Sequence, residues 1–121
     1  MKKLFLDDLR IPKDAIGLVT SNLNQFYWSN DWDIVRCYDE FVSYITKNGL
    51  PDFISFDHDL ADEHYIGTDT NEKTGFECAK WLVDFCLDND GQIPDFMVHS
   101  ANPVGKKNIE SYLLNAQKHL F

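Results

Sequence analysis

Basic side chains are scarce in this chain. Eleven Lys and Arg face 20 Asp and Glu, for a formal net charge of -9. That balance opposes attraction to a phosphate backbone or an anionic bilayer, and so argues against duplex DNA and membrane surfaces as partners. A phosphate-bearing ligand would need a local cation, either a metal or a few placed basic groups. Cysteine is also sparse: Cys37, Cys78 and Cys86 are three in number and show no C-x-x-C spacing. They read as small buried hydrophobes in a reducing compartment rather than as a disulfide framework. Long apolar runs are missing as well. No segment reaches the roughly 18 to 20 apolar residues of a membrane span. The short run at the N-terminus is cut by Asp7 and Asp8, which a secretory signal would not tolerate. A cytoplasmic protein is the expectation. There is no internal repeat and no low-complexity tract, so residues 1–121 are read as a single domain.

What is present is a compact globule's share of apolar residues, 44% hydrophobic and 14% aromatic. "KLFLDD" predicts a strand over 3–6 that ends in paired acids. Residues 13–32, rich in Asn and Ser, predict a loop with some irregular helix. A strand over 33–37 follows, then a helix capped by Asp39 and stopped by Gly49. "PDFISFDHDL" predicts a strand over 52–56, nearly all apolar, as a strand covered on both faces would be. The polar segment 61–73 reads as a long loop, with length enough for a lid. Thr74 can cap a helix carrying Phe76, Ala79, Trp81, Leu82, Phe85 and Cys86 at helical spacing. A last strand over 95–98 and a last helix opening at Gly105 complete the pattern. Strands alternating with helices predict a parallel sheet of about four to five strands with helices on both faces.

In such sheets ligands gather at the carboxyl ends of the strands. Three strands here end in chemistry: Asp7-Asp8, then Asp57-His58-Asp59, then His99-Ser100. Several carboxylates at one edge repel one another, and some would take up protons unless a cation bound them. Magnesium suits such a site, because it takes one or two carboxylates and completes its shell with water and phosphate oxygens. The two histidines extend the choice to manganese or another transition metal. A metal-free site, with carboxylates and histidines as acid and base, is an alternative. Each piece also has a plainer reading: Asp7 and Asp8 as turn caps, Asp57 and Asp59 as loop formers, His99 as a core histidine. Arg10 is either a surface cation or a bidentate phosphate ligand. Lys106 and Lys107 in the first turn of a helix oppose its dipole, which an anion near Gly105 would offset.

Four stretches in order, "LFLDDLRIP", "FISFDHDL", "TGFECAKWLVD" and "VHSANPVGKKNIESYL", resemble the cyclic-phosphate-processing receiver-like family. These are small relatives of the response-regulator receiver domain. The resemblance implies a flavodoxin-like three-layer fold. It sets Asp7 and Asp8 at the receiver's acidic pair, Asp57 at its phospho-acceptor, and His99-Ser100 where its Thr or Ser stands. The receiver's fifth strand and its Lys have no clear counterpart, while His58, Asp59 and His99 fit the receiver-like family's own pattern.

On that resemblance the expected activity is metal-assisted opening of a cyclic phosphate, of the nucleotide or RNA 2′,3′-cyclic type. Asp7, Asp8, Asp57 and Asp59 would hold magnesium or manganese, and His58 and His99 would serve as base and acid alongside Asp57. Arg10, Ser100, Asn102, Gly105 and Lys106 would bind the substrate, a small cyclic nucleotide or an RNA end. The rival expectations are a signalling domain phosphorylated on Asp57, or a protein that binds a nucleotide without turning it over.

Overall fold

The computed structural model describes residues 2–18, 27–28, 31–58 and 74–120. Four strands, β1 (Lys3–Leu6), β2 (Trp32–Val35), β3 (Phe53–Phe56) and β4 (Asp95–Val98), form one sheet in the order β2-β1-β3-β4. All three pairings are parallel. The helices are α1 (Tyr38–Asn48), α2 (Gly75–Asp88) and α3 (Pro103–His119), with a 3-10 helix at Pro12–Leu18. This is the parallel α/β sheet that the alternation predicts, and it is consistent with the flavodoxin-like fold that the resemblance implies.

Side chains on a strand alternate between faces, so each strand feeds two cores. Leu4, Leu6, Ile54, Phe56 and Val98 pack on one face against Phe41 and Ile45 of α1, Leu82 and Cys86 of α2, and Ile109 and Leu113 of α3. Each such side chain, fully buried, stabilises the fold by roughly 1.5–3 kcal/mol. The opposite face carries Phe5, Trp32 and Phe53, covered by Ala15 of the 3-10 helix and by Tyr27. Four aromatics interlock there: Phe5 meets Tyr27 and Trp32 edge-on, Tyr27 stacks on Trp32 at 5.2 Å, and Trp32 meets Phe53 edge-on. Among the described residues the three α-helices therefore cover one face of the sheet, and the 3-10 helix with Tyr27 covers the other.

Element boundaries differ from expectation by one or two residues, for local reasons. The second strand stops at Val35, because the Arg36 amide turns to Glu40 Oε1 at 2.7 Å and Cys37 takes the N-cap of α1. Asp39 thus lies in the first turn of α1 rather than at its cap. The third strand starts at Phe53, since the Asp52 carboxylate is turned back to accept from the Lys2 amide at 2.7 Å. Helix α3 opens two residues before Gly105: Pro103 has no N–H to waste at a first helical position, and Asn102 caps the turn by accepting from the Gly105 amide at 3.0 Å. Thr74 sits at the N-cap of α2 without a side-chain capping bond. Gly49 ends α1 at φ 82° and donates to the Ile45 carbonyl, as a C-terminal glycine should. Cys78 and Cys86 are buried as expected, but Cys37 is only half-buried.

Candidate active site

The register of the sheet builds the site. Leu6, Phe56 and Val98 stand side by side at the ends of β1, β3 and β4. The ladder then runs one residue further. The Asp57 amide donates to Leu6 O and the His99 amide to Phe56 O, both at 2.9 Å, and the Asp7 amide donates to Val35 O at 3.1 Å. Alternation turns all three next residues, Asp7, Asp57 and His99, to the Phe5 face of the sheet. They are buried, and one ligand atom from each lies within 4.8 Å of the other two.

Asp7 is the hub. Its Oδ1 accepts from the Leu9 and Arg10 amides at 2.9 and 2.8 Å. Its Oδ2 accepts from His99 Nε2 at 2.9 Å and faces Arg10 Nη1 at 3.4 Å. Burial alone would raise the pKa of this carboxyl, but the bonds from His99, Arg10 and Leu9 outweigh it and hold Asp7 well below the usual carboxylate range. Arg36 fixes the turn from outside, its Nη1 donating to the carbonyls of Asp7 at 3.1 Å and Arg10 at 2.6 Å.

His99 is closed in on every side. Its ring lies flat on Phe5, with centroids 4.4 Å apart and planes 5° apart. Nε2 faces Asp7, and Nδ1 is 2.6 Å from Ser55 Oγ, which in turn is 2.7 Å from Tyr27 Oη. Burial pushes the imidazole below its ordinary pKa; Asp7 pulls the other way and Arg10 adds to the lowering. A neutral ring donating from Nε2 satisfies both.

His58 is different. It is half-buried, and its ring packs on the first turn of α3, where Gly105 has no side chain to obstruct it. Gly75, at the start of α2, approaches the same loop from the other side: its amide donates to the His58 carbonyl at 2.8 Å, and a Cβ there would overlap the Asp57 carbonyl oxygen. Ser100 is buried and accepts from the Asn102 amide at 3.0 Å. That leaves the Ser100 hydroxyl proton to donate, while Asn102 Oδ1 is committed to its cap. Asp8 and Lys106 are half-buried, Asp8 beside Asp7 at the end of β1 and Lys106 in the first turn of α3. Asp59 and the loop at 61–73 lie outside the described residues.

Asp7, Asp57 and His99 are the buried group that could hold a divalent cation. At Asp7 the cation would have to take the place of the 3.4 Å Arg10 contact, because the carboxylate oxygens already accept from Leu9, Arg10 and His99. Asp7 and Asp57 supply two buried carboxylates from adjacent strands, which matches the protein share of a typical magnesium shell. His99 stands behind Asp7 rather than beside it, in the place of a group that orients a ligating carboxylate.

Sequence reasoning missed three residues of this arrangement. Ser55 carried a usable signal, since a lone hydroxyl inside "FISF" must find a partner once the strand is buried. Arg36 and Tyr27 carried none, because their place depends on the path of the chain across the sheet.

A four-stranded parallel sheet with acids at the carboxyl ends of adjacent strands defines a receiver-like α/β domain. Among solved structures, a chain described as a trimeric coiled-coil segment of yeast Spc42, amino acids 181–211, fused to another structure aligns with a TM-score of 0.51. The two are 18% identical over 91% of this chain and 61% of that one, so this chain spans about six tenths of its length and the likeness shows the fold alone. No curated protein matches the chain. The family model of the cyclic-phosphate processing receiver domain matches residues 2–115, and the chain belongs to that family. Among the described residues no helix is long and apolar enough to cross a membrane.

Proposed function

We propose that this protein hydrolyses a cyclic phosphodiester, of the 2′,3′-cyclic nucleotide or RNA-end type, at the edge where Asp7, Asp57 and His99 meet. The observation that carries the reading is that meeting itself, three buried polar side chains from three strands within 4.8 Å. Asp7 and Asp57 would hold magnesium or manganese, with Asp8 and Asp59 as further candidate ligands. A cation bound there neutralises phosphate oxygens and makes its water more acidic.

The residues of the chain do the rest. His58 is the proton carrier, because it is half-exposed where His99 is enclosed. It takes a proton as water attacks phosphorus, and returns it to the ring oxygen whose bond to phosphorus breaks. The product is a phosphomonoester with a free hydroxyl, so atoms and charge balance. His99 acts on Asp7 instead of on substrate, keeping its carboxylate ionised and aimed. Arg10 and the Ser100 hydroxyl meet the phosphate oxygens, and Lys106 adds positive charge at the mouth.

The experiment is incubation with a panel of cyclic phosphates, with and without magnesium or manganese, followed by phosphorus NMR. Conversion to a monoester that needs the cation and is lost in His58→Ala supports the reading. A substrate panel left intact would sink it, and labelling of Asp57 by a small phosphodonor would put a signalling role in its place.

A further inference from the structure

The hydrogen-bond chain behind His99 has a direction, and the buried end determines it. Tyr27 is fully buried, and among the described residues its hydroxyl has one hydrogen-bond partner, Ser55 Oγ at 2.7 Å. A hydroxyl that only accepted there would leave its own proton buried without a partner, which is costly. Tyr27 therefore donates to Ser55. Ser55, also fully buried, then has its proton free for the other neighbour, His99 Nδ1 at 2.6 Å. With Nδ1 accepting, a neutral ring carries its proton on Nε2, which points at Asp7 Oδ2 at 2.9 Å. Every donor in the row Tyr27, Ser55, His99 points the same way, toward the carboxylate.

We propose that Tyr27 and Ser55 are positioning residues that lock His99 in its Nε2–H tautomer and so fix the Asp7 carboxylate. The proposal rests on the reading of this edge as the reactive site only in what the lock is for. Tyr27 spends its aromatic ring on the nest formed with Phe5 and Trp32, which holds the hydroxyl over Ser55. Burial pushes the phenol up to about 12, so it remains a donor throughout the neutral range. The lock also explains why His99 is not a free imidazole for a cation: its outward nitrogen already bears a proton.

The test reads the ring nitrogens directly. In uniformly 15N-labelled protein, two-bond 1H–15N spectra report which nitrogen of His99 is protonated. The wild type should show Nε2–H. Tyr27→Phe keeps the aromatic packing but removes the terminal donor, leaving Ser55 free to accept from Nδ1, and should populate the Nδ1–H form. Ser55→Ala removes the partner of Nδ1 altogether, so its ring should stay Nε2–H through Asp7 while the Nδ1 signal moves to that of an unbonded acceptor nitrogen, and Ser55→Thr should restore the wild-type pattern. Where a cyclic phosphate is turned over, Tyr27→Phe should lower kcat about 10-fold with less change in KM, the size typical of losing a group that orients a ligand from behind. An Nδ1–H ring in the wild type, or a Tyr27→Phe spectrum identical to wild type, would overturn the proposal. Absence of turnover in the wild type counts against hydrolysis alone, since the spectra decide the tautomer independently.

Discussion

The His58 ring fills the space that a side chain at Gly105 would occupy, with Nδ1 2.6 Å and Cδ2 2.7 Å from where a Cβ would stand. The two residues are 47 positions apart along the chain and come from different layers of the fold. Glycine here is a matter of room: helix α3 accepts it at its third position because Asn102 already caps that turn.

Gly105→Ala follows from this contact. Alanine gains roughly 1 kcal/mol of helix propensity, while overpacking costs about 1–3 kcal/mol. Stability should therefore change little, by under about 2 kcal/mol on the same figures, whereas His58 must swing away. Urea unfolding should show the small change, and phosphorus NMR should show cyclic-phosphate turnover reduced at least about 10-fold, the usual scale of a lost proton carrier. Unchanged turnover would remove His58 from the mechanism.

Arg36 offers a second test, this time of the Asp7 turn. Its guanidinium bonds two carbonyls, those of Asp7 and Arg10, and the turn between them presents the amides that Asp7 Oδ1 accepts. Hydrogen bonds to a charged group are worth about 1.5–3 kcal/mol, and the side chain is partly exposed, so Arg36→Ala should cost roughly 1–2 kcal/mol after screening. The sharper readout is hydrogen exchange. The Leu9 and Arg10 amides should lose protection while the amides of β3 keep theirs. Equal loss across both would mean that Arg36 supports the whole sheet and has no particular hold on this turn.

The parts of the site written into strands were legible in the sequence, and the parts supplied by the chain's route across the sheet were not. Apolar runs ending in Asp7, Asp57 and His99 announce strand tips, and parallel sheets collect strand tips at one edge. The fold class follows from the same alternation of elements. The capping of α3 was less visible, because Gly105 and the two lysines drew attention from Asn102-Pro103, the stronger start signal. The enclosure of His99 was not legible: an imidazole at a strand end reads equally as a proton carrier or a core histidine, and its packing on Phe5 and its bonds to Ser55 and Asp7 come from three separate parts of the fold. The cover on the Phe5 face was out of reach, since Tyr27 stands in a segment with no apolar period.

The enclosure of His99 makes stability depend on pH. Burial, against the pull of Asp7, sets its folded pKa below the ordinary 6.5. Between those two values the unfolded chain binds a proton that the folded protein does not. The stability from the neutral ring is thus fully present above pH 6.5 and is lost as pH falls through the lower, folded value. Asp7, also depressed, adds its own loss only below its ordinary value of 3.8. Urea midpoints should therefore decline between pH 7.5 and 5.5, the choice of about one unit either side of a histidine's range, and the decline should be shallower in His99→Asn. An equally steep decline in that variant would assign the effect to another group.

Asp57→Asn sets stability against function. The Asp7 and Asp57 carboxylates have ligand atoms within 4.8 Å and both are buried, so their charges repel in a medium that screens poorly. Without added metal, removing one charge relieves that repulsion but also weakens the contacts Asp57 makes, so the unfolding midpoint should shift by little relative to wild type. With metal the wild type should become the more stable of the two. A cation that binds only the folded state stabilises it by about 2.7 kcal/mol at one hundred times its dissociation constant, and only the wild type retains both carboxylates. Thermal melts of the two proteins with and without manganese, alongside the manganese EPR signal of free ion, measure both effects. A variant much less stable than wild type in metal-free buffer would show that the contacts of Asp57 outweigh its repulsion with Asp7. A variant that still binds manganese as wild type does would show that the cation, if one is used, is held elsewhere.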